Sequence, residues 1–526
     1  MHEFTRIRII GAGVMGRGIA QVAAAAGCEV ELTDLSPTAV DEGLEFIARM
    51  LRRSAEKGLT TGDEAEAAIS RLHAGDAPAS PSERIDLAIE AVAESLEVKQ
   101  ALFAELGRAL PHAALASNTS SLSITTIASV VADPSRVFGL HFFNPVPLMM
   151  LVEVVPGLRT SPEILESGRR FVRRTGHTPV QAKDSPGFLV NLLGRGLPTE
   201  ALTVFGESIA DVSDIDRLVR DTLHLRMGPF ELMDLTGLDV FQPALDSIWK
   251  GFYSDERLRP AGGIEGRLWA GLLGRKTGQG FYRYVDGIPQ IPAEPAIPPD
   301  PAATPLHVVG GGPLAELLTG SGVTLSDGPR PDTVSIVQPL GRPAYLAAIE
   351  HDLDPTRTIG VDPLGAIDPA AGRRGTPDNT HPHDASGAYA RRMAVIAPFS
   401  VDVDRGRAAV RALASTGSAI TVTADGPAPV TQRIIAAMVN VAAMAAEKNL
   451  ATPEDIDRGA ELGLHYPLGP LAMGDLVGPA RVLAILDGLL DYTGDPRYRA
   501  SSWLRARADL GLSLLDPAIR PHDLTS

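Results

Sequence analysis

Along the first part of the chain, short continuous apolar runs alternate with longer stretches in which apolar positions recur at helical spacing. The runs Ile7-Arg8-Ile9-Ile10, Val30-Glu31-Leu32, 85–92, Ala114-Leu115-Ala116 and Val137-Phe138-Gly139-Leu140-His141 read as buried strands. Between them, 19–26 and about 38–58 carry the helical period. Strands alternating with helices predict an α/β domain over 1–184, a Rossmann-like doubly wound parallel sheet with ligands received at the carboxyl ends of its strands. From Ser185 the period turns helical, over 188–205, 212–222 and a helix after Gly228-Pro229-Phe230-Glu231-Leu232. An all-α domain is therefore expected over 185–284.

Residues 285–305 break both periods with Pro289, Pro292, Pro295, Pro298, Pro299 and Pro301, and read as a stiff linker. Beyond it the pattern starts again. His307-Val308-Val309-Gly310-Gly311-Gly312-Pro313-Leu314-Ala315 echoes the first strand and glycine turn, and Val323-Thr324-Leu325-Ser326-Asp327 echoes the second strand with its acid. Asp455-Ile456-Asp457 echoes Asp214-Ile215-Asp216, and Tyr466-Pro467-Leu468-Gly469-Pro470-Leu471 echoes Met227-Gly228-Pro229-Phe230. The economical reading is an internal repeat, with a degenerate Rossmann-like domain over 306–428 and a second helical domain over 429–526. Two related helical domains in one chain predict a pseudo-dimer within the chain, a homodimer being the alternative.

Composition narrows the class. At 526 residues the chain exceeds one hydrophobic core, and 44% apolar with 21% charged residues is globular composition. Its 48 Lys and Arg against 64 Asp and Glu leave a net charge of -16, which repels nucleic acid and acidic lipid. Cys28 is the only cysteine, which excludes an intrachain disulfide and a thiolate metal site. No leader pattern or membrane-length apolar run is seen, so the expected location is the cytoplasm, with no membrane partner. No metal is expected. His381 and His383, flanked by Asp378 and Asp384, read as polar loop composition.

The densest local chemistry follows the first strand. Gly11-Ala12-Gly13-Val14-Met15-Gly16 is a G-x-G-x-x-G turn into a helix. Gly11 permits the tight turn, Gly13 leaves no Cβ between backbone and a pyrophosphate, and Gly16 lets helix and strand pack closely. Met15 is placed with them at the cofactor. The phosphates meet the positive end of the helix dipole. Asp34 closes the second strand, where a carboxylate accepts from both ribose hydroxyls and repels a 2′-phosphate, so the cofactor expected is NAD rather than NADP.

Further on, Ala116-Ser117-Asn118-Thr119-Ser120-Ser121-Leu122, Gly139-Leu140-His141-Phe142-Phe143-Asn144-Pro145-Val146-Pro147, Leu151-Val152-Glu153-Val154 and Lys183-Asp184-Ser185-Pro186-Gly187-Phe188-Leu189-Val190-Asn191 follow in order. Over about 6–284 the chain resembles the 3-hydroxyacyl-CoA dehydrogenase family. Chemistry asks for the same residue types: taking hydride from a secondary alcohol obliges its oxygen to shed a proton, which calls for a base of near-neutral pKa and suits histidine held by a carboxylate. The resemblance implies that His141 is the general base, Glu153 its orienting partner, and Ser120 and Asn191 hydrogen-bond the reacting oxygen. It also implies NAD contacts from Glu94, Lys99, Ser120, Asn144 and Lys276, and a CoA contact from Lys57. The other basic residues of that helix, Arg49, Arg52 and Arg53, read either as CoA phosphate contacts or as a solvated face.

The expected activity is NAD-dependent oxidation of (S)-3-hydroxyacyl-CoA to 3-oxoacyl-CoA, on short or dicarboxylic chains of fatty-acid or aromatic catabolism. Two alternatives stay open: a dehydrogenase of a free hydroxy acid such as gulonate, and a noncatalytic NAD-binding scaffold. The chain departs from the family at Leu192, where an arginine usually follows the asparagine. Arg195, one turn on, either meets a charged acyl tail or, on the simpler reading, lies at the surface. The second copy departs further. Pro313 removes an N–H where phosphates need donors, Ala315 takes the third glycine's place, and Gln432 stands where Asn191 stands in the first.

Overall fold

The computed structural model describes residues 3–364, 392–519 and 524. They fall into two compact units, 1–192 with 448–464, and 193–447 with 465–526. The residues 378–384, with His381 and His383, lie outside the described residues.

The first unit is built on an eight-stranded sheet of order β3-β2-β1-β4-β5-β6-β7-β8. Its strands are β1 Arg6–Ile10, β2 Glu29–Thr33, β3 Leu72–Ala74, β4 Leu87–Glu90, β5 Ala114–Ser117, β6 Val137–Phe142, β7 Leu151–Pro156 and β8 Thr178–Gln181. Helices α1 Val14–Ala25, α2 Pro37–Glu56, α3 Gly62–Ile69, α4 Leu96–Ala109, α5 Ile124–Ala128 and α6 Pro162–Arg174 connect them. β4, β5 and β6 are buried along their whole length, as expected of strands covered on both faces. The predicted strands β1, β2, β4, β5 and β6 pair in parallel, and β7 adds to them antiparallel to β6. Only 143–150 joins β6 to β7, too little for the crossover that a parallel pair requires.

The second unit opens with helices Gly196–Gly206, Val212–Leu223, Pro229–Thr236 and Leu238–Gly251, and the hairpin of β9 Tyr284–Val285 and β10 Ile288–Pro289. The helix expected over 188–205 is interrupted, Val190–Leu193 ending before Gly194 and Arg195, where glycine weakens a helix. A five-stranded sheet follows, β11 Leu306–Val308, β12 Val334–Val337, β13 Thr358–Val361, β14 Arg392–Ala397 and β15 Ala419–Ala424, in that order. The β12–β15 pairings are parallel, antiparallel, parallel, as in β5–β8. The predicted second strand of this copy is reduced to a single bridge, Leu306 to Leu325. The helix at Pro313 runs only to Gly320.

Equivalent residues do equivalent work in the two copies. Asp184 caps α5 by accepting from Ile124 N and Thr125 N, and Asp425 caps the helix Ala344–Glu350 through Ala344 N and Tyr345 N. A Cβ on Gly139 would strike Ile124 and Val155, and one on Gly360 would strike Ala344 and Ile396.

Within the second unit the two helical copies pack closely. Gly196 lies so near the helix Val430–Glu447 that a Cβ would come within 2.9 Å of Met438 Cα. Beside it Arg433, fully buried, donates to Glu200 Oε1 at 2.7 Å, to both Glu207 oxygens at 2.5 and 3.1 Å, and to the Tyr498 hydroxyl at 2.9 Å. Among the described residues, no helix is long and apolar enough to cross a membrane.

Candidate active site

Three glycines of the β1–α1 turn explain its shape. Gly11 holds φ +107°, and a Cβ there would lie 2.5 Å from Ala91 O; one on Gly16 would lie 1.7 Å from Gly11 O. Both positions exclude any side chain. At Gly13, the N-cap of α1, a Cβ would meet nothing within 4 Å. The bare, open face at the positive end of a long helix is a cradle that fits a pyrophosphate. Asp34 stands beside it, accepting from Ala12 N at 2.8 Å and Ser36 N at 3.1 Å. Met15 is partly buried against the core.

The next strand ends build a carboxylate relay. Glu94 Oε1 accepts from the Thr119 hydroxyl, Ser120 N, Ser121 N and the Ser121 hydroxyl at 2.5 to 3.1 Å. Burial alone would raise the Glu94 carboxyl, but Thr119, Lys99 and Ser121 outweigh it and hold it below its ordinary value. Lys99, an expected NAD contact, is buried among carboxylates. It is 1% exposed, with Nζ 2.5 Å from Glu90 Oε1 and 3.2 Å from Glu94 Oε2. Glu90, which the sequence did not single out, also takes the Ser117 hydroxyl at 2.6 Å and Val92 N at 2.8 Å. These bonds fix the 117–121 loop that carries Ser120.

β6 and β7 set His141 directly opposite Glu153 in their antiparallel register. His141 Nδ1 lies 2.6 Å from Glu153 Oε2. A carboxylate only accepts, so Nδ1 carries the proton and Nε2 is the basic nitrogen. No described residue hydrogen-bonds Nε2. Phe143 and Phe188 flank the ring, with centroids 4.3 and 5.8 Å away. The other Glu153 oxygen accepts from Leu189 N and Val190 N, both at 2.8 Å. The turn that aims those groups has Gly187 and Phe188 both at positive φ, +72° and +47°. The Pro186-Gly187 pair was its sequence signal.

Asn191 follows at once, and its Nδ2 lies 3.4 Å from Ser120 O. The structure thus gathers Ser120, His141, Glu153 and Asn191 around one locus. Asn144 is exposed at the end of β6, and Asn118 Oδ1 holds the intervening strand end through Phe142 N at 2.9 Å.

In the curated and structural comparisons, the model of the 3-hydroxyacyl-CoA dehydrogenase NAD-binding domain matches 6–185, and that of the C-terminal domain matches twice, over 187–284 and 430–513. The chain belongs to the 3-hydroxyacyl-CoA dehydrogenase family. It is 34% identical, over 97% of its length and 98% of the relative's, to the 3-hydroxyadipyl-CoA dehydrogenase of Escherichia coli K12. It is 40% identical to a probable 3-hydroxybutyryl-CoA dehydrogenase of Bacillus subtilis, over 54% of this chain and 99% of that one. A crystal structure of 3-hydroxybutyryl-CoA dehydrogenase from E. coli K12 superposes with TM-score 0.81 at 31% identity, covering 97% of this chain and 99% of that one. The enzyme is an NAD-dependent oxidoreductase of this family.

Lys57 is exposed at the C-cap of α2. Of its neighbours, Arg52 pairs with Glu66 at 2.7 Å, Arg49 lies over the Phe46 ring at 5.4 Å, and Arg53 is exposed. Lys276, in the second unit, pairs with Asp239 at 2.5 Å. Arg195 is not the surface residue of the simpler reading. It is half-buried with its guanidinium 5.1 Å from the Phe241 ring centroid, and burial lowers its pKa to about 10.

In the second copy of this dehydrogenase fold, β13 and β14 pair Gly360 with Ile396 and Val361 with Val395, which sets Asp362 opposite Ala394. Those are the places of His141 and Glu153. Gln432, at Asn191's place, is fully buried and self-satisfied: Nε2 donates to Pro339 O at 2.8 Å and Asp362 Oδ1 at 2.9 Å, while Oε1 accepts from Gly341 N at 2.9 Å. The pocket counterpart is filled by its own side chain.

Proposed function

We propose that the chain oxidises (S)-3-hydroxyacyl-CoA thioesters to 3-oxoacyl-CoA, on short or dicarboxylic acyl chains, with His141 as general base. The observation that carries the reading is the His141–Glu153 pair, clamped by the N–H groups that immediately precede Asn191. NAD supplies the hydride acceptor when bound. The Gly11–Gly16 turn receives its phosphates and Asp34 its ribose. His141 Nε2 takes the hydroxyl proton as the carbonyl forms, and Glu153 balances the imidazolium across a bond already in place. The Ser120 hydroxyl and the Asn191 amide hold the reacting oxygen, so its change of charge meets fixed dipoles rather than water. Phe143 and Phe188 keep the imidazole from tilting. Lys57 and the arginines of α2 form the basic face that suits CoA phosphates. The E. coli relative named for 3-hydroxyadipyl-CoA supports the dicarboxylic option.

The test is NADH formation with a panel of 3-hydroxyacyl-CoAs, with and without an ω-carboxylate, beside His141→Ala. Turnover on part of the panel and a loss of about 10²–10⁴ in the variant are expected. No turnover on any thioester, or an unimpaired variant, overturns the reading. The same reading puts the enzyme in the cytoplasm, which fractionation of cells expressing the full chain checks. It also has the two helical copies replace a subunit contact, so that sedimentation returns the mass of one chain.

A further inference from the structure

The helix Pro453–Gly463 comes from the second helical copy, yet it is part of the first unit. Polar contacts fasten it there. Lys183 N donates to Leu450 O at 2.8 Å, Lys183 Nζ reaches Lys448 O at 3.3 Å, and Gln181 N donates to the Asp455 carboxylate. The helix packs against β7 and β8, the strand of Glu153 and its neighbour.

Its inner face carries Ile456 and Ala460, both buried, and two glycines. Gly459 and Gly463 fall on one side of the helix, one turn apart. A Cβ on Gly463 would stand 2.8 and 2.9 Å from the two Cγ atoms of Val190 and 3.0 Å from Leu151 Cδ2. One on Gly459 would meet Leu189 Cδ2 at 3.1 Å. Leu151, Leu189 and Val190 are at most 1% exposed, so none has room to retreat. Leu189 and Val190 are the residues whose N–H groups hold Glu153. Val190 is β-branched and stiff at χ1, so pressure on its Cγ atoms passes into its backbone.

We infer that Gly463 is a positioning residue for the His141–Glu153 pair: by presenting no side chain to Val190, it lets the 189–190 turn close on Glu153, which in turn sets the imidazole. The degenerate half of the chain thereby shapes the active half. This rests on the reading of His141 and Glu153 as base and partner.

The test uses the full chain with Gly463→Ala. The backbone there is ordinary helix, where alanine is the better residue, so any loss comes from the contact and not from the helix. The kcat falls about tenfold, as a small misplacement of a catalytic group does. NADH binding, read by fluorescence, holds. The low-field proton NMR signal of the hydrogen-bonded His141 Nδ1–H, assigned by its absence in His141→Ala, weakens or moves. Removing the opposing atoms in Gly463→Ala/Val190→Ala returns both readouts to the level of Val190→Ala alone. Gly459→Ala, whose Cβ would come no nearer than 3.1 Å to Leu189 Cδ2 and 3.8 Å to Val190 Cγ2, loses less on both readouts than Gly463→Ala.

Wild-type kcat with an unmoved signal in Gly463→Ala overturns the inference. So does a double variant no better than the single, since that assigns the loss to general destabilisation. Should Gly463→Ala not fold, the double variant is read against Val190→Ala, and a double variant that also fails to fold overturns the inference. The NMR signal needs no substrate. A signal that moves and recovers supports the positioning role even in an enzyme that turns over no thioester.

Discussion

At the end of β6 the first copy sets His141 against Glu153, while at the end of β13 the second sets Asp362 against Ala394. One helix later, Asn191 faces Ser120 in the first, and Gln432 bonds Pro339, Gly341 and Asp362 in the second. What the copies share is backbone machinery: the capping acids Asp184 and Asp425, the close-packed Gly139 and Gly360, and the antiparallel turn of the sheet. What they do not share is every group that would face a reacting molecule. In the second copy the Gln432 amide is instead fully partnered by Pro339, Gly341 and Asp362, which keeps the fold and leaves it no free group for a ligand.

The largest expected contrast is in activity. His141→Ala lowers kcat/KM on the preferred 3-hydroxyacyl-CoA by about 10²–10⁴, whereas Asp362→Ala, at the matching place, leaves it near wild type. Steady-state NADH formation checks both. Comparable losses from the two substitutions would make the second copy a working site and erase the distinction.

That contrast was only half legible in the sequence. The glycine turn and Asp34 announce themselves because each is local, a strand end followed by a helix start. The His141–Glu153 pairing was expected from the family resemblance, while the antiparallel register that sets the two opposite each other has no local signal in the apolar pattern. The burial of Lys99 was not legible, because its buried partner, Glu90, comes from the preceding strand end. Asp362 carried no signal at all, since the loss of a histidine leaves nothing in a single chain to search for. The residence of 448–464 in the first unit was equally hidden, for it follows from tertiary packing of residues far apart in the chain.

The second contrast is in stability. Position 192 holds leucine in the first copy, and its counterpart in the second is Arg433, bound to Glu200, Glu207 and Tyr498. Arg433→Met leaves Glu200, 1% exposed, as a buried carboxylate without its cation. A cost of about 3–5 kcal/mol is expected in urea unfolding. A much smaller loss would mean that the helical copies are held together by apolar packing alone.

Gln432→Ala comes next. It strips partners from Gly341 N, Pro339 O and Asp362 together, and should cost about 2–3 kcal/mol while kcat stays near wild type. Asn191→Ala is expected to show the reverse, a loss of kcat with little change in unfolding. Measuring both quantities on both variants sharpens the comparison most directly, because the residues are counterparts and only the column of the effect differs.

The smallest effect is expected at Asp362 itself. Burial raises its carboxyl above the ordinary range, against the opposing pull of the Gln432 and Leu364 N–H groups, the Thr431 hydroxyl and Arg481. The folded chain therefore keeps a proton that the unfolded chain gives up near pH 4, and more protons in the folded state mean that stability falls as pH rises through that interval. Asp362→Asn keeps an Oδ1 acceptor for Gln432 and Leu364 and replaces the other, ionisable oxygen by an uncharged amide. The variant should match wild type below pH 4 and exceed it by about 1–2 kcal/mol at pH 8. Equal stabilities at pH 8 would mean that Asp362 ionises at little cost, and that its pocket admits the solvent or cation a filled one excludes.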